Sequence, residues 1–348
     1  MTTQPAAQLQ QVQPVDYTQM GIVKGEHIFP EKAEWKEADF KMRKHRHADC
    51  ISPNPNYLPQ DDILRFAVMW LQAPAQLKVF GLWGETGTGK TEFAMWLASR
   101  FNLPFYKVSI TPEKRGHHLE TEQELVAENG QVVTQRILLP AAQAYRDGGL
   151  LLLDEVDKAT DDMTTSLHNI LEGKPWHVPG LGTLKKHPQC YIMTTSNTKG
   201  EGGHDRYITS QALDAALRRR IGWFETKYPD AIHETKILSN QFTQLPTVII
   251  TRMVETANAF RDALLGEDRS GKIEGSIRCT FSTADLVAWA YYMLRFGMNC
   301  TPRDSLSFAF WGNVDAEDED AAQAIVTAIW SESIDEPVKE LISNAAKK

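Results

Sequence analysis

One octapeptide constrains the fold more than any other stretch. Gly84-Glu85-Thr86-Gly87-Thr88-Gly89-Lys90-Thr91 fits the pattern G-x-x-x-x-G-K-[ST]. Glycines let the backbone curl until successive N–H groups point into one concave anion nest at a helix N-terminus. In that geometry Lys90 reaches the β- and γ-phosphates of a nucleotide, and the Thr91 hydroxyl ligates Mg²⁺. The pattern carries this meaning only between a strand and a helix. Both flanks qualify. Residues 77–83, Leu-Lys-Val-Phe-Gly-Leu-Trp, read as a short buried strand, and residues 92–101 place Phe93, Ala94, Leu97 and Ala98 at helical spacing.

The second decisive stretch is Leu150-Leu151-Leu152-Leu153-Asp154-Glu155. Four leucines in a row predict a strand covered on both faces, as in a parallel sheet. Two carboxylates at its C-terminal end are costly unless a cation or ligand meets them. After a phosphate loop, Asp154 is placed to orient Mg²⁺ and Glu155 to polarise the attacking water. A third strand, residues 191–197, ends in Asn197, which is placed to hold that water near the γ-phosphate. Arg218-Arg219-Arg220 then precede Ile221-Gly222 and a last strand over 223–228. Three consecutive arginines cannot all face a core. A solvated charge run is one reading; an arginine acting in trans on a neighbour's γ-phosphate is the sharper one.

Around these motifs the chain is less explicit. Residues 1–16 read as a tail, and 17–50 as a charged, solvated extension in which His45, His47 and Cys50 lack a second ligand cluster. Residues 60–71 and 163–171 are predicted helices, 104–110 a strand, 111–130 polar and irregular, and 131–139 a strand or hairpin arm. Residues 140–146 read as a helix ended by Asp147-Gly148-Gly149. Residues 175–188 read as a hairpin exposing Trp176 and Leu181, and 200–205 as a glycine-rich loop. Beyond Asp230 helices are predicted at about 247–265, 283–296, 320–331 and 335–346, with Pro302 and Gly312 interrupting the rest and 315–320 an acidic connector.

Composition narrows the function classes. A hydrophobic content of 42% over 348 residues supports an α/β domain and a second, helical unit. The net charge of −8 weighs against a nucleic-acid partner, which usually meets a basic face. The four cysteines share no CxxC spacing and suit a reducing compartment. No signal peptide and no apolar run of transmembrane length is visible, so a cytoplasmic protein with no membrane partner is expected.

The order of these motifs resembles the AAA+ ATPases over roughly residues 50–300. It looks most like the MoxR-type branch that includes the CobS subunit of cobaltochelatase and the CbbQ and NorQ activators. The Pro53-Asn54-Pro55-Asn56-Tyr57 lead-in and the 202–207 loop carry that closer likeness. The resemblance implies an α/β AAA+ P-loop NTPase domain over 51–229, a central parallel sheet flanked by helices, followed by a helical lid over 230–348. It implies Mg-dependent ATP hydrolysis by a homo-oligomeric ring, a hexamer, with Asn197 as sensor 1 and Arg220, then Arg219, as the finger. It also implies a remodelling or chaperone role toward a client, with a von Willebrand A domain protein as adaptor and metal insertion or metalloenzyme activation as the setting. The alternatives are a nucleic-acid-associated motor or a chelatase subunit proper. In this branch the segments 131–139 and 175–188 are inserted hairpins facing the ring pore. The chain departs from the branch at Ser282-Thr283-Ala284, where a sensor-2 arginine is usual, with Arg278 as a stand-in.

Overall fold

The computed structural model describes residues 15–52, 54–128, 131–203, 209–266 and 277–345. In chain order the elements are β1 (Met20–Lys24), α1 (Gly25–Ile28), β2 (Asp39–Arg43), α2 (Asp61–Gln72), β3 (Val79–Trp83), α3 (Lys90–Arg100), β4 (Phe105–Ser109), β5 (Thr121–Glu128), β6 (Gln131–Leu138), α4 (Pro140–Asp147), β7 (Gly149–Asp154), α5 (Asp161–Glu172), β8 (Trp176–Val178), β9 (Gly182–Leu184), β10 (Cys190–Ser196), α6 (Ala215–Arg220) and β11 (Ile221–Glu225). A helical region follows: α7 (Ala231–Gln241), α8 (Thr247–Leu265), α9 (Thr283–Arg295), α10 (Pro302–Ala309), α11 (Glu319–Trp330) and α12 (Val338–Ala345).

Five strands form one sheet in the order β11-β3-β10-β7-β4, and every pairing is parallel. The leucine run explains why the sheet is sandwiched. Side chains alternate across a strand, and all four leucines of β7 are buried. Leu151 and Leu153 enter one core with Val108, Ile192 and Leu167. Leu150 and Leu152 enter the opposite core with Phe93, Leu97 and Met193. Because all strands point the same way, the loops after β3, β7 and β10 open at one edge. That edge carries the phosphate loop, Asp154-Glu155 and Asn197.

The helical region has its own core, built on Phe260, Phe281, Trp289 and Trp330. Its helices begin at designed stops. Ser282 caps α9 and Thr301 caps α10, each with an aspartate three residues on that returns a bond to the cap. Pro302 therefore starts α10 as its first residue rather than interrupting a helix. The acidic run 315–320 is not a free connector, since Asp318 is buried and accepts the Arg278 N–H at 2.7 Å just before α11 begins. The sequence reading passed over α7, whose apolar spacing is broken by the buried Glu234.

Three further expectations change. Residues 17–50 are not merely a solvated extension: β1 and β2 pair antiparallel, and Phe29 and Phe40 insert into the core beside Trp96 and Phe101. Arg43 of that segment is buried, its Nε donating to Gln189 Oε1 at 2.7 Å. Residues 121–128, expected to be irregular, form the β5 arm of a long hairpin with β6. Segment 175–188 is the expected hairpin, β8–β9, and Leu181 at its tip is exposed, but Trp176 is not. Its indole packs edge-on to Tyr145 with ring centroids 5.6 Å apart, inside the main core. The 200–205 loop is described only as far as residue 203; the remainder, with residues 1–14, lies outside the described residues.

Trp176→Ala should therefore lower stability by about 3–5 kcal/mol, as a large-to-small core change does. Leu181→Ala at the exposed tip should stay within about 0.5 kcal/mol. Urea unfolding of both variants checks this; equal midpoints would contradict the packing.

Candidate functional site

The phosphate loop is wedged between the ends of three strands. Gly84 N–H donates to Ser196 O at 3.3 Å, and the Thr226 hydroxyl, just past β11, donates to Trp83 O at 3.0 Å and meets the Thr88 hydroxyl at 3.1 Å. Two glycines are required by this fit. A Cβ on Gly84 would lie 2.1 Å from Thr226 O, and Gly84 holds φ +144°. Gly87, at φ +79°, would drive a Cβ to 2.3 Å from Ser282 Cβ. Ser282 is the cap of α9, so the start of the lid lies directly on the crest of the loop.

Lys90 folds back over the loop. Its ammonium donates to Gly84 O at 2.6 Å, Glu85 O at 2.9 Å and Asn197 Oδ1 at 3.4 Å. Burial pulls its pKa down to about 8, against the opposing pull of Asp157, Glu85, Asp154 and Glu155. The carbonyls thus hold the ammonium at the mouth of the anion nest. The Asn197 amide oxygen also lies 3.5 Å from the Thr86 hydroxyl, so the end of β10 faces the loop as the sequence suggested.

The carboxylate pair sits beside it. Thr91 Oγ1 donates to Asp154 Oδ1 at 3.0 Å, the Thr195 hydroxyl donates to the same oxygen, and Lys107 Nζ pairs with Asp154 Oδ2 at 2.7 Å. Burial alone would push the Asp154 carboxyl up; Lys107 and the two hydroxyls outweigh it and hold it below its ordinary value. A hydroxyl and an ionised carboxylate are hard oxygen donors suited to Mg²⁺. Glu155 adopts φ +60°, a left-handed conformation that strains a residue with a side chain. Its N–H is held by Thr195 Oγ1 at 2.9 Å, and its carboxylate, part-exposed toward solvent, meets Lys158 at 2.9 Å.

Sequence reasoning missed several participants. Lys107 and Thr195 were readable only as polar residues out of place in buried strands. Asp157, fully buried, takes on its Oδ2 the N–H of Asn197 at 3.1 Å, that of Thr198 at 3.3 Å and the Ser210 hydroxyl at 2.7 Å, and so fixes the Asn197 backbone. The lead-in at 54–60 is also part of the site. With Gly87, Gly89 and the lid residues Ile237, Thr283 and Ala284, Tyr57 and Leu58 line a cavity of about 370 Å³ beside the loop. Asn54 is tied to Glu92 of α3 at 3.0 Å, and Leu58 O to His233 of α7 at 2.9 Å. The cavity has the place and size for the rest of a nucleotide whose phosphates lie on the loop.

The arginines stand apart from all of this. Arg218 pairs with Glu201 at 3.0 Å, Arg219 is exposed, and Arg220 pairs with Glu172 while its Nη1 donates to Ala216 O at 2.5 Å. Arg219 and Arg220 border a groove of about 500 Å³ at the opposite edge of the sheet. Register shows the separation. Ile221 pairs with Val79 and Glu225 with Trp83, so Arg220 and Gly84 lie beyond opposite ends of neighbouring strands, six residue rises or roughly 20 Å of strand apart. Arg278, the expected stand-in for the lid arginine, is exposed, pairs with Glu317 at 3.1 Å and does not approach the loop. Ala284 lines the cavity at that point instead.

Residues 80–221 match the family model for the AAA domain of the dynein-related subfamily. These residues therefore form an AAA domain. Its relatives are of the MoxR type. The denitrification regulatory protein NirQ of Stutzerimonas stutzeri is 25% identical over 228 residues, 64% of this chain and 73% of NirQ. NirQ of Pseudomonas aeruginosa is 26% identical over 184 residues, 51% of this chain and 65% of that one. NorQ of Paracoccus denitrificans is 28% identical over 258 residues, 70% of this chain and 83% of NorQ. The AAA match spans the sheet from β3 to the first residue of β11, with the phosphate loop, Asp154-Glu155, Asn197 and Arg218-Arg219-Arg220 all inside it. Among the described residues no helix is long and apolar enough to cross a membrane.

Gly87→Ala tests the contact between AAA+ loop and lid. Strain at φ +79° and the Ser282 collision should together cost about 1–3 kcal/mol or more, and nucleotide affinity should fall accordingly. Calorimetric titration with ATP checks it; unchanged affinity would contradict the fit.

Proposed function

We propose that this chain is a Mg²⁺-dependent ATPase that works as a homo-oligomeric ring, a hexamer, and converts hydrolysis into remodelling of a client protein. One observation carries the reading: the Thr91–Asp154 pair lies beside Lys90 on a glycine loop, with the strained Glu155 next to it and Arg220 at the far edge of the same sheet. In this reading the loop N–H groups from 84 to 91 and Lys90 hold the β- and γ-phosphates. Thr91 and Asp154 hold Mg²⁺, which when bound neutralises phosphate charge. Glu155 takes the proton of the attacking water, and Asn197, fixed by Asp157, orients that water. Arg220 of the adjacent subunit, released from its own Glu172, stabilises charge on the transferring phosphoryl group; Arg219 is the second choice.

The names of the relatives suggest the setting. Two are called denitrification regulatory proteins; we assign the client to metalloenzymes or their assembly machinery, and the net charge of −8 favours a protein over a nucleic acid. The exposed β5–β6 hairpin, with Leu125 and Val132 facing solvent, and the β8–β9 tip at Leu181 are the surfaces we assign to that client. A reducing cytoplasm suits the free cysteines.

Two experiments test the chemistry. Glu155→Gln should keep ATP binding and lose about 10²–10⁴-fold in turnover; a wild-type rate would overturn the assignment of the base. Mixing two inactive proteins, Arg220→Ala and Lys90→Ala, should restore activity, because intact centres form where one subunit's loop meets its neighbour's arginine. An arginine finger supplies about 10³–10⁵-fold, so restoration is easy to see. A mixture that co-assembles and stays inactive would remove Arg220 from the catalytic centre.

A further inference from the structure

The lid lacks an arginine at Ala284, yet it is wired to the phosphate loop by another route. The Tyr228 hydroxyl donates to Thr86 O, on the crest of the loop, at 2.6 Å. The guanidinium of Arg261 lies over the Tyr228 ring, 4.5 Å from its centroid, an arrangement that attracts a cation to the ring face. Arg261 is fully buried, and its three nitrogens are all engaged. Nε donates to Phe281 O at 2.8 Å, and Nη1 and Nη2 grip the two oxygens of the equally buried Glu234, each at 2.8 Å. Glu234 Oε1 also accepts the Thr283 hydroxyl at 2.7 Å. Phe281 and Thr283 flank Ser282, the residue that rests on Gly87. The network therefore leaves the loop at Thr86, passes through α7 and α8, and returns to the loop through the start of α9.

We propose that Tyr228, Arg261 and Glu234 are positioning residues that couple the phosphate loop to the lid, in place of an arginine reaching from α9. The chemistry favours a rigid coupling. A planar fork on both carboxylate oxygens fixes orientation as well as distance. A buried pair of this kind has no neighbouring solvent to substitute for a lost partner. A shift of the crest when phosphate binds displaces Thr86 O, and with it the Tyr228 ring, the fork and the N-terminus of α9. The coupling rests on the nucleotide reading above, and its test separates the two.

Removing Arg261 would strand a buried Glu234 charge, so the informative change is Tyr228→Phe. It keeps the ring under the guanidinium and deletes only the bond to Thr86 O. Amide hydrogen exchange on the full chain is read with and without ATP. In the wild type, ATP should slow exchange at 84–91 and along α9. In Tyr228→Phe, ATP should still slow 84–91 but leave α9 unchanged, and its affinity should fall about fivefold or more, the usual size of coupling between two sites. Thr283→Val, at the other end of the network, should show the same loss of α9 response. Full α9 protection by ATP in both variants would overturn the proposal. If ATP protects nothing in the wild type, the nucleotide reading fails, and the coupling is decided without ligand. Faster α9 exchange in Tyr228→Phe than in the wild type then supports it, and equal rates refute it.

Discussion

The common direction of five strands governs this molecule. A parallel sheet needs cover on both faces, and β7 supplies it with leucines that alternate between two cores. The same parallel alignment sorts chemistry by edge. The side chains proposed to meet phosphate and metal lie at or beyond the C-terminal ends of β3, β7 and β10, while Arg219 and Arg220 sit before the N-terminal end of β11. No side-chain rotation can bring those two edges together within one subunit. A centre that uses both loop and arginine must draw them from two chains.

At the phosphate edge the protein holds its charges in reserve. Lys90 rests on carbonyls of its own loop, Lys107 neutralises Asp154, Lys158 meets Glu155, and Glu172 holds Arg220 at the far edge. Each pair satisfies a group that would otherwise be buried or crowded without a partner. Three of them also have a natural replacement in the proposed cycle: phosphate for the carbonyls at Lys90, a cation for Lys107, a neighbour's nucleotide for Glu172. The lid adds a different constraint. Because Ser282 presses on Gly87 and the Tyr228–Arg261–Glu234 network closes the circuit, loop and lid form one mechanical unit.

What was legible in the sequence was local. A contiguous glycine loop, a leucine run ending in two carboxylates and a strand ending in asparagine each announce themselves within eight residues, and the structure brings all three together. Long, evenly patterned helices such as α8 and α9 were equally readable. What was missed depends on distant partners. Phe29 and Phe40 look isolated among charges until β1 and β2 pair. Trp176 looks exposed among glycines and prolines until Tyr145 is placed beside it. Lys107, Thr195 and Asp157 gain meaning only from parallel register, and Glu234 hides α7 because its counter-charge lies 27 residues away in Arg261.

The central claim is that catalysis belongs to a pair of subunits rather than to one. Its most direct measurement is ATP turnover per subunit across a dilution series, with the mass distribution of the same samples followed by single-particle mass measurement. The account predicts that turnover per subunit falls toward zero as assemblies dissociate and recovers when the protein is concentrated again. Constant turnover per subunit in samples shown to be monomeric would contradict it.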